Sequence, residues 1–464
     1  MHSCIVAGSI RKRVYAVVGA AAMNRRNFVL GTAAVTTAAA AQQRNPASDG
    51  GNTPVRETPL RAGYIGSDYY DDQERRELND VLETKRPFRW YGPGDEPPLK
   101  VLTFEREFAA RLQTRFALAV TSGSAALSTA LAALEIGPGD EVILPAWTWH
   151  SCYNAIVLAG ALPVFAEIDE SFNIDPADLE LKITPQTKAV MAVHLQGSPC
   201  HLDAVLAIAR RHRVKVIEDC AQSMGASYKG RPVGSLGDIG IYSLQINKTI
   251  TAGEGGALVT NDPILFERAS RFHDLGSLRA PHQKAVGSPQ IEGFPGGQFR
   301  MSEFTGGVLL AQLRKLDEIV AALRANSSRV YQGIRDLPGA RLRRLPDPKG
   351  ELGTAVFLGF ETKEKRDRYL VAMKAENVPA SPPSGSVILP TVPHVVQKRT
   401  IHPAWPSFTT ERGRLIRYGA ECCPRTIDIL SRFAGVSIHP RYTRRETDDI
   451  IGAIRKVYPA VTRA

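Results

Sequence analysis

The chain has 464 residues, of which 43% are hydrophobic and 23% charged, a composition typical of a globular protein with one large core and a smaller one. The formal net charge is +11 at pH 7, but five of the positive charges lie before residue 42, where no acidic residue occurs. The remaining mild positive balance suits an anionic ligand. The chain lacks the interleaved basic and aromatic residues typical of nucleic-acid binding, so no nucleic-acid partner is predicted.

Residues 23–41, MNRRNFVLGTAAVTTAAAA, have the features of an export signal. Arg25 and Arg26 are followed by a short, weakly apolar stretch and an A-x-A end, which is similar to a twin-arginine signal. This predicts export to the periplasm, with Met23 as the start and residues 1–22 as an over-long gene prediction. The alternative is a disordered, alanine-rich arm on a cytoplasmic protein. The apolar part is too short to span a membrane, so no membrane span is predicted.

The first elements beyond the N-terminus are two helices. Residues 71–83 are heavily charged with a few apolar positions, which predicts a surface helix, and residues 101–114 place apolar residues at helical spacing. A turn-rich segment, RWYGPGD, separates them. A short apolar strand at 116–121 then precedes an alanine-rich helix at 125–134.

The turn between that strand and helix has the character of a phosphate-binding site. Ser122, Gly123 and Ser124 join the strand to the helix N-terminus. Free backbone N–H groups and the helix dipole would face an anion there, and the glycine would allow close approach. Many α/β turns share this pattern, so by itself it is a weak signal.

Further strands and helices alternate along the chain. The predicted strands lie within 137–156 and at 163–168 and 189–195, and a helix at 202–213 leads to a strand ending at Asp219. This alternation predicts an α/β fold with a mostly parallel sheet between helices, whose ligands gather at the carboxyl ends of the strands. The residues near such ends are Ser124, Trp149, His194 and Asp219. His194 has two open readings, a pocket residue or a core histidine.

Two residues in the next part of the chain indicate cofactor chemistry. Asp219 ends the apolar run KVIED, and Lys248 follows the strand IGIYSL just before a glycine cluster. A pyridine-aldehyde cofactor needs such a pair, because a buried aspartate keeps the ring nitrogen protonated and a lysine amine forms a Schiff base with the aldehyde. On these two residues alone, the alternative is a surface lysine and a helix-capping aspartate.

Three longer motifs extend this pattern. The chain reads EDCAQ at 218–222, GSLGDIG at 234–240 and KTITAGEGG at 248–256. In this order they resemble the motifs of the DegT/StrS family of pyridoxal-phosphate-dependent sugar aminotransferases, across about residues 60–460. The resemblance implies an α/β, fold-type-I enzyme, with a large domain whose mostly parallel sheet lies between helices and a smaller α+β C-terminal domain.

The same resemblance implies roles for several site residues. Lys248 would hold pyridoxal 5'-phosphate as an internal aldimine and then act as general acid and base. Asp219 would keep the ring nitrogen protonated, and Gln222 would contact the ring hydroxyl or pack beside it. Gly123, Ser124 and Ser243 would hold the phosphate; Ser124 stands where the family has threonine and keeps the hydroxyl.

Two tryptophans follow the strand within 137–156. An aromatic side chain at such a place can lie flat on a cofactor ring, and the family places its stacking aromatic at the position of Trp149. Trp147 is expected to pack in the interior. The alternative is that both tryptophans belong to the core.

The segment GQFRMS at 297–302 is similar to the family motif G-x-N-x-R-M-S, whose asparagine reaches the phosphate in the partner subunit's site. Gln298 replaces that asparagine, and its longer amide could still donate. The resemblance therefore implies a homodimer with shared active sites.

The predicted function is transfer of an amino group from glutamate or glutamine to a keto sugar, sugar nucleotide or cyclitol. Relatives that act as sugar dehydrases carry histidine in place of the lysine, so Lys248 favours transamination. A rival interpretation is a catalytically idle cofactor-binding or sensor protein, motivated by Gln298, the export signal and a divergent proline-rich loop at 381–413. In that loop His394, His402, Trp405 and Arg412 are candidates for the substrate entrance, with a solvated loop as the default.

The predicted division of the chain follows from these assignments. Residues 1–41 form the export signal and over-long start, 42–62 a polar linker, 63–329 the large domain and 330–464 the small C-terminal domain. The six cysteines show no metal-ligand spacing, and no metal site is predicted.

Overall fold

The computed structural model describes residues 53–94 and 97–463 of the chain. The predicted export signal and the first part of the predicted linker lie outside these residues. Within the described part, no helix combines the length and the apolar character that crossing a membrane would take.

The strands are short and mostly apolar. Numbered along the described chain they are β1 (Phe116–Val120), β2 (Glu141–Pro145), β3 (Trp147–Thr148), β4 (Leu162–Ala166), β5 (Thr187–Val193), β6 (Lys215–Asp219), β7 (Ser227–Tyr228), β8 (Arg231–Pro232), β9 (Ile239–Ser243), β10 (Gly256–Thr260), β11 (Arg341–Leu342), β12 (Ala355–Gly359), β13 (Val387–Ile388) and β14 (Phe433–Ser437).

The helices surround these strands. They are α1 (Asp72–Thr84), α2 (Lys100–Arg111), α3 (Gly123–Ala133), α4 (His150–Leu158), α5 (Pro176–Lys182), α6 (Leu202–His212), α7 (Pro263–His273), α8 (Ala280–Val286), α9 (Glu303–Arg314), α10 (Leu316–Ile334), α11 (Lys363–Ala375), α12 (Pro393–Val396), α13 (Glu411–Leu415), α14 (Pro424–Ser431) and α15 (Arg444–Arg463).

Seven strands form the central sheet, in the order β1-β10-β9-β6-β5-β2-β4. Strand β10 runs antiparallel to both of its neighbours, and the other pairings are parallel. Leu118 and Ala119, successive residues of β1, belong to two different apolar cores. Because successive side chains of a strand point to opposite faces, the sheet is covered on both sides. This arrangement agrees with the prediction of a mostly parallel sheet between helices.

Local sequence explains where several helices begin. Asp71 and Glu74 form a capping box at α1, and the Ser122 side chain accepts from the Ala125 amide at the start of α3. Helix α7 begins with Pro263 after the cap Asp262. These are the side chains that satisfy the free amides of a first helical turn.

Two successive helices, α9 and α10, follow Ser302 and meet at Lys315. The Lys315 amide donates to the Gln312 carbonyl at 3.1 Å and so closes α9. The Lys315 ammonium is buried against the Glu74 carboxylate and the Tyr69 carbonyl, at 2.7 Å from an oxygen of each. These contacts anchor the junction of α9 and α10 to α1 and the residues just before it.

A second, antiparallel sheet, β11-β12-β14, is built from the C-terminal part of the chain. Helix α10 runs through residue 330, where the small domain was predicted to begin, and that division stays a prediction. The C-terminal part does not remain separate, because β13 pairs with β3 at the central sheet. The described end of the predicted linker is also anchored, since Arg56 binds Asp449 at 2.6 Å.

Candidate active site

A cavity of about 740 Å³ lies at the carboxyl end of the parallel strands. It brings together residues from β5, β6, β9 and the turns that follow β1 and β3. Seven of the eight predicted site residues line it, namely Gly123, Ser124, Trp149, Asp219, Gln222, Ser243 and Lys248.

The turn before α3 is shaped for close approach of an anion. A Cβ atom on Gly123 would lie 2.7 Å from the Ser243 Cβ, so only glycine fits there without displacement. The Ser124 hydroxyl lies 2.7 Å from that of Ser151. Because the first amides of a helix have no intrahelical partner, the start of α3 offers N–H groups and the positive end of the helix dipole to a phosphate.

Asp219 is a buried carboxylate with few partners. One of its oxygens accepts the Ala221 amide at 2.9 Å, and the other accepts the Cys152 thiol at 3.2 Å. Burial raises the pKa of Asp219, and the Ala221 amide and the Cys152 thiol oppose this only in part. A protonated ring nitrogen would supply the positive partner that this carboxylate needs.

Lys248 lies in the loop between β9 and β10 and lines the same cavity as Asp219. Burial lowers the pKa of the Lys248 ammonium, and the negative charge of Asp219 opposes this. A lowered pKa increases the fraction of neutral amine, which is the form that attacks an aldehyde. These features of Asp219, Lys248 and the α3 turn fit pyridoxal phosphate.

The two tryptophans have different environments. Trp147 is 2% exposed and packs in the core, as expected. Trp149, the residue before α4, is 52% exposed and lines the cavity. Trp149 therefore lies at the cavity that would hold the cofactor ring. Its stacking on that ring stays a prediction.

The Gln222 side chain hydrogen-bonds to two other parts of the chain. Its amide nitrogen donates to the Gly385 carbonyl at 3.1 Å and to the Ser386 hydroxyl at 3.0 Å. Its amide oxygen accepts the Gln196 amide at 3.1 Å. A contact of Gln222 with the cofactor ring stays a prediction.

Gln298 is exposed and is not among the described residues that line the cavity of its own chain. Its backbone forms an isolated antiparallel bridge with Asp274. A contact of the Gln298 side chain with the partner subunit's site stays a prediction.

His194 is a core histidine. It is fully buried, its Nε2 lies 3.0 Å from the Glu218 carboxylate, and its Nδ1 accepts the Cys200 amide at 3.0 Å. Glu218 in turn accepts the amides of Gly234 and Leu236 at 2.8 and 2.7 Å. His194, Glu218 and Cys220 lie within 4.8 Å of one another, but the protein itself already satisfies the histidine and the carboxylate.

Several residues that line the cavity were not predicted from the sequence. Gln196, Cys152, Ser384 and Gly385 line the cavity but belong to no recognised motif. The candidates chosen from the proline-rich loop lie elsewhere: His394 stacks on His150, the Trp405 indole donates to the Val157 carbonyl, and Arg412 binds Glu141. The small Ser-Gly-Ser sequence at 384–386 was the available signal, since such residues permit a close backbone approach.

The chain is similar to a family of known proteins. The sequence model of the DegT/DnrJ/EryC1/StrS aminotransferase family matches residues 70–392. The spore coat polysaccharide biosynthesis protein SpsC of Bacillus subtilis (strain 168) is 32% identical over 390 residues, which cover 82% of this chain and 94% of that protein.

The fold is also similar to that of solved structures. The crystal structure of 3-amino-5-hydroxybenzoic acid synthase is 28% identical with a TM-score of 0.71, covering 88% of this chain and 100% of the other. DesV of S. venezuelae is 29% identical with a TM-score of 0.67, covering 86% of this chain and 98% of the other. These matches confirm the predicted fold-type-I architecture.

Proposed function

Because the chain belongs to the DegT/DnrJ/EryC1/StrS aminotransferase family, we propose that it transfers an amino group from glutamate or glutamine to a keto sugar, sugar nucleotide or cyclitol. It is a pyridoxal-phosphate-dependent aminotransferase. The observation that carries the proposal is the shared cavity in which Lys248 and Asp219 lie with the glycine turn before α3.

The residues of the cavity divide the work of holding the cofactor. Gly123, Ser124 and Ser243 would bind its phosphate, Asp219 its ring nitrogen, and Trp149 one face of its ring. When bound, pyridoxal phosphate supplies an electron sink and a carrier for the amino group.

Lys248 is the proposed acid and base of the transfer. Its buried amine, with a pKa lowered by burial, would move a proton between the substrate carbon and the cofactor in each half-reaction. Asp219 stays in place through the Ala221 amide and the Cys152 thiol. It therefore offers a fixed negative charge without reorganisation of the site.

The sugar-derived acceptor is inferred from a relative and from the cavity wall. SpsC is named for spore coat polysaccharide biosynthesis, which supports a sugar-derived acceptor. Much of the wall consists of neutral hydroxyl and amide side chains, which suit a polyhydroxylated substrate; they include Gln196, Gln222, Gln245, Asn247, Thr354, Ser384 and Ser437.

Half-reaction spectroscopy tests the proposal. The purified protein is loaded with pyridoxal phosphate, and its absorbance is followed after addition of glutamate or glutamine, with Lys248→Ala as the control. The expected result is that the absorbance band of the bound cofactor disappears in the wild type alone and that a 2-oxo acid is released. A band that no amino donor changes would instead favour the idle binding protein.

Homodimer formation with shared sites is part of the proposal. It is supported by the exposed position of Gln298 and by the exposed indole of Trp149. Sedimentation of the holoenzyme should give a dimer mass. A monomer that carries out the donor half-reaction at full rate would contradict shared sites.

Export by the twin-arginine route is also proposed, on the strength of Arg25 and Arg26 and the apolar stretch after them. Cell fractionation should find the protein in the periplasm, and a variant with both arginines changed to lysine should stay in the cytoplasm. An uncleaved wild-type chain found only in the cytoplasm would refute this.

A further inference from the structure

A chain of side-chain hydrogen bonds leads from β3 to the buried carboxylate of Asp219. The Thr148 hydroxyl lies 3.3 Å from the Cys152 sulfur, and the Cys152 thiol lies 3.2 Å from an Asp219 oxygen. Thr148 is the last residue of β3, and Cys152 lies in the first turn of α4. All three residues are at most 3% exposed. The chain therefore joins two elements of the cavity wall to the predicted partner of the ring nitrogen.

The direction of both hydrogen bonds follows from the protons that are present. Burial, reinforced by the negative charge of Asp219, raises the pKa of the Cys152 thiol well above its ordinary value, so the sulfur keeps its proton. An ionised carboxylate can only accept, so the thiol donates to Asp219. Because a thiol has a single proton, the Thr148 hydroxyl is the donor to the sulfur. Both hydrogen bonds thus point toward the carboxylate.

This chain is compatible with a bound cofactor. A carboxylate offers about four lone-pair positions on its two oxygens. The Ala221 amide uses a position on one oxygen, and the Cys152 thiol uses a position on the other. The remaining positions can accept the proton of a ring nitrogen. Neither contact of Asp219 therefore has to break when the cofactor binds.

The chain offsets the cost of burying the Asp219 charge. Burial raises the pKa of Asp219, whereas the Ala221 amide and the Cys152 thiol lower it. A thiol by itself is a weak donor, but the hydrogen bond that it accepts from Thr148 polarises it further, since hydrogen bonds in a chain strengthen one another. Because the amide holds one oxygen and the thiol the other, the orientation of the carboxylate is fixed as well.

We propose that Thr148 and Cys152 are positioning residues of the cofactor site, which act through Asp219 to keep its carboxylate ionised and oriented toward the cofactor ring nitrogen. Neither residue has to touch the ring for this role. The inference rests on the proposed function only in placing the ring nitrogen at Asp219. It can therefore be tested without any amino donor or acceptor.

Infrared difference spectroscopy of the holoenzyme tests the hydrogen bonds themselves. The S–H stretching vibration absorbs where few other protein groups do, and its frequency falls as the thiol donates a stronger hydrogen bond. Subtraction of the Cys152→Ala spectrum isolates the band of this thiol from those of the other cysteines. Asp219→Asn and Thr148→Val, each with the matching Cys152→Ala subtraction, should shift the band to higher frequency. A band that neither change moves would overturn the assignment.

Binding of pyridoxal phosphate to the apoenzyme shows whether Cys152 acts through Asp219. The dissociation constant is measured by absorbance titration for Cys152→Ala and Cys152→Ser, and for Cys152→Ala in the Asp219→Asn background. Cys200→Ala is the matched control. Its thiol is equally buried but donates to the Val193 carbonyl at 3.1 Å, and Cys200 is not among the described residues that line the cavity. The free energy of unfolding is measured for every variant.

Cys152→Ala should raise the dissociation constant about fivefold to tenfold, the range of a single lost hydrogen bond. Cys152→Ser keeps a donor and should recover most of this loss. In the Asp219→Asn background, Cys152→Ala should change the dissociation constant by less than about twofold, because the charged acceptor is already gone. The control should bind as the wild type does, even where it lowers the free energy of unfolding as much as Cys152→Ala.

Three binding results would contradict the proposal. They are an equal loss of affinity in both backgrounds, the same loss in the Cys200→Ala control, or a loss with Cys152→Ser as large as with Cys152→Ala. Each would mean that Cys152 only fills space in the core. Absence of amino transfer would instead refute the proposed function and leave the infrared and binding measurements unaffected.

Discussion

Replacement of Gly123 by alanine should weaken cofactor binding more than it weakens the fold. The new Cβ atom would lie 2.7 Å from the Ser243 Cβ and 3.1 Å from the Ser243 Cα. Ordinary carbon contacts are about 3.5–4.0 Å, and one of the crowded atoms is backbone that cannot rotate away. The first turn of α3 must therefore move away from β9.

The size of the effect follows from this overlap. Extra methyl groups in tightly packed sites cost about 1–3 kcal/mol. The moved turn is the one that would hold the cofactor phosphate, so most of this cost should appear in the binding equilibrium. The dissociation constant for pyridoxal phosphate should rise about 5- to 150-fold.

Titration of the apoenzyme with pyridoxal phosphate, followed by absorbance, measures this directly. Gly137→Ala is the matched control, because its nearest neighbour would be the Ala159 carbonyl at 3.9 Å, which leaves room for a methyl group. The control should bind as the wild type does. The reasoning fails if Gly123→Ala binds within about twofold of the wild type, or if the control loses as much affinity.

Three further outcomes are expected. Lys248→Ala should lower the rate of amino transfer about 10²- to 10⁴-fold. It should also abolish covalent attachment of the cofactor after borohydride reduction, which mass spectrometry measures. Lys188 is exposed, and Lys188→Ala should keep the wild-type transfer rate and the wild-type covalent attachment. Burial alone would raise the pKa of Glu105, but the Arg89 guanidinium and the His282 ring together outweigh burial and the pKa falls to about 2. Stability from this carboxylate is present above its ordinary pKa of 4.5 and lost as the pH falls toward 2, so Glu105→Gln should cost about 3–5 kcal/mol at pH 7. Urea unfolding at pH 7 and 3 checks this, and an equal loss at both values would contradict it. Burial raises the pKa of Glu351 from 4.5 to about 7, so stability should fall by about 3 kcal/mol as the pH rises through that interval. Glu351→Gln should remove this fall in a pH series of unfolding curves, and an unchanged slope would count against it.

Much of the fold could be predicted because it is encoded in short, local patterns. The apolar strand predicted at residues 116–121 and the serine-glycine turn after it are both visible in the sequence, and the structure has β1 at Phe116–Val120 and α3 from Gly123. The break at Lys315 was not predictable in this way. The Lys315 ammonium at this break is buried against Glu74, a residue far earlier in the chain, and no local pattern indicates such a contact.

The candidate site shows the same division. Asp219 and Lys248 could be identified because the chemistry of the cofactor requires those residue types next to strand ends. The partners of Gln222 could not, because its amide binds Gly385 and Ser386. No spacing or periodicity in the sequence connects these residues.

The sequence by itself predicted a mostly parallel sheet, the glycine turn before α3, and the lysine and aspartate that line one cavity, since each depends on neighbouring residues and on general strand and helix geometry. The tertiary structure alone decided which distant segment closes the cavity. The pairing of β13 with β3 and of Ser381 with Gly435 fixes both ends of residues 381–388, which lie against Gln196 and Gln222. Contacts of this kind arise only when both sheets have formed, because each partner is positioned by a different part of the fold.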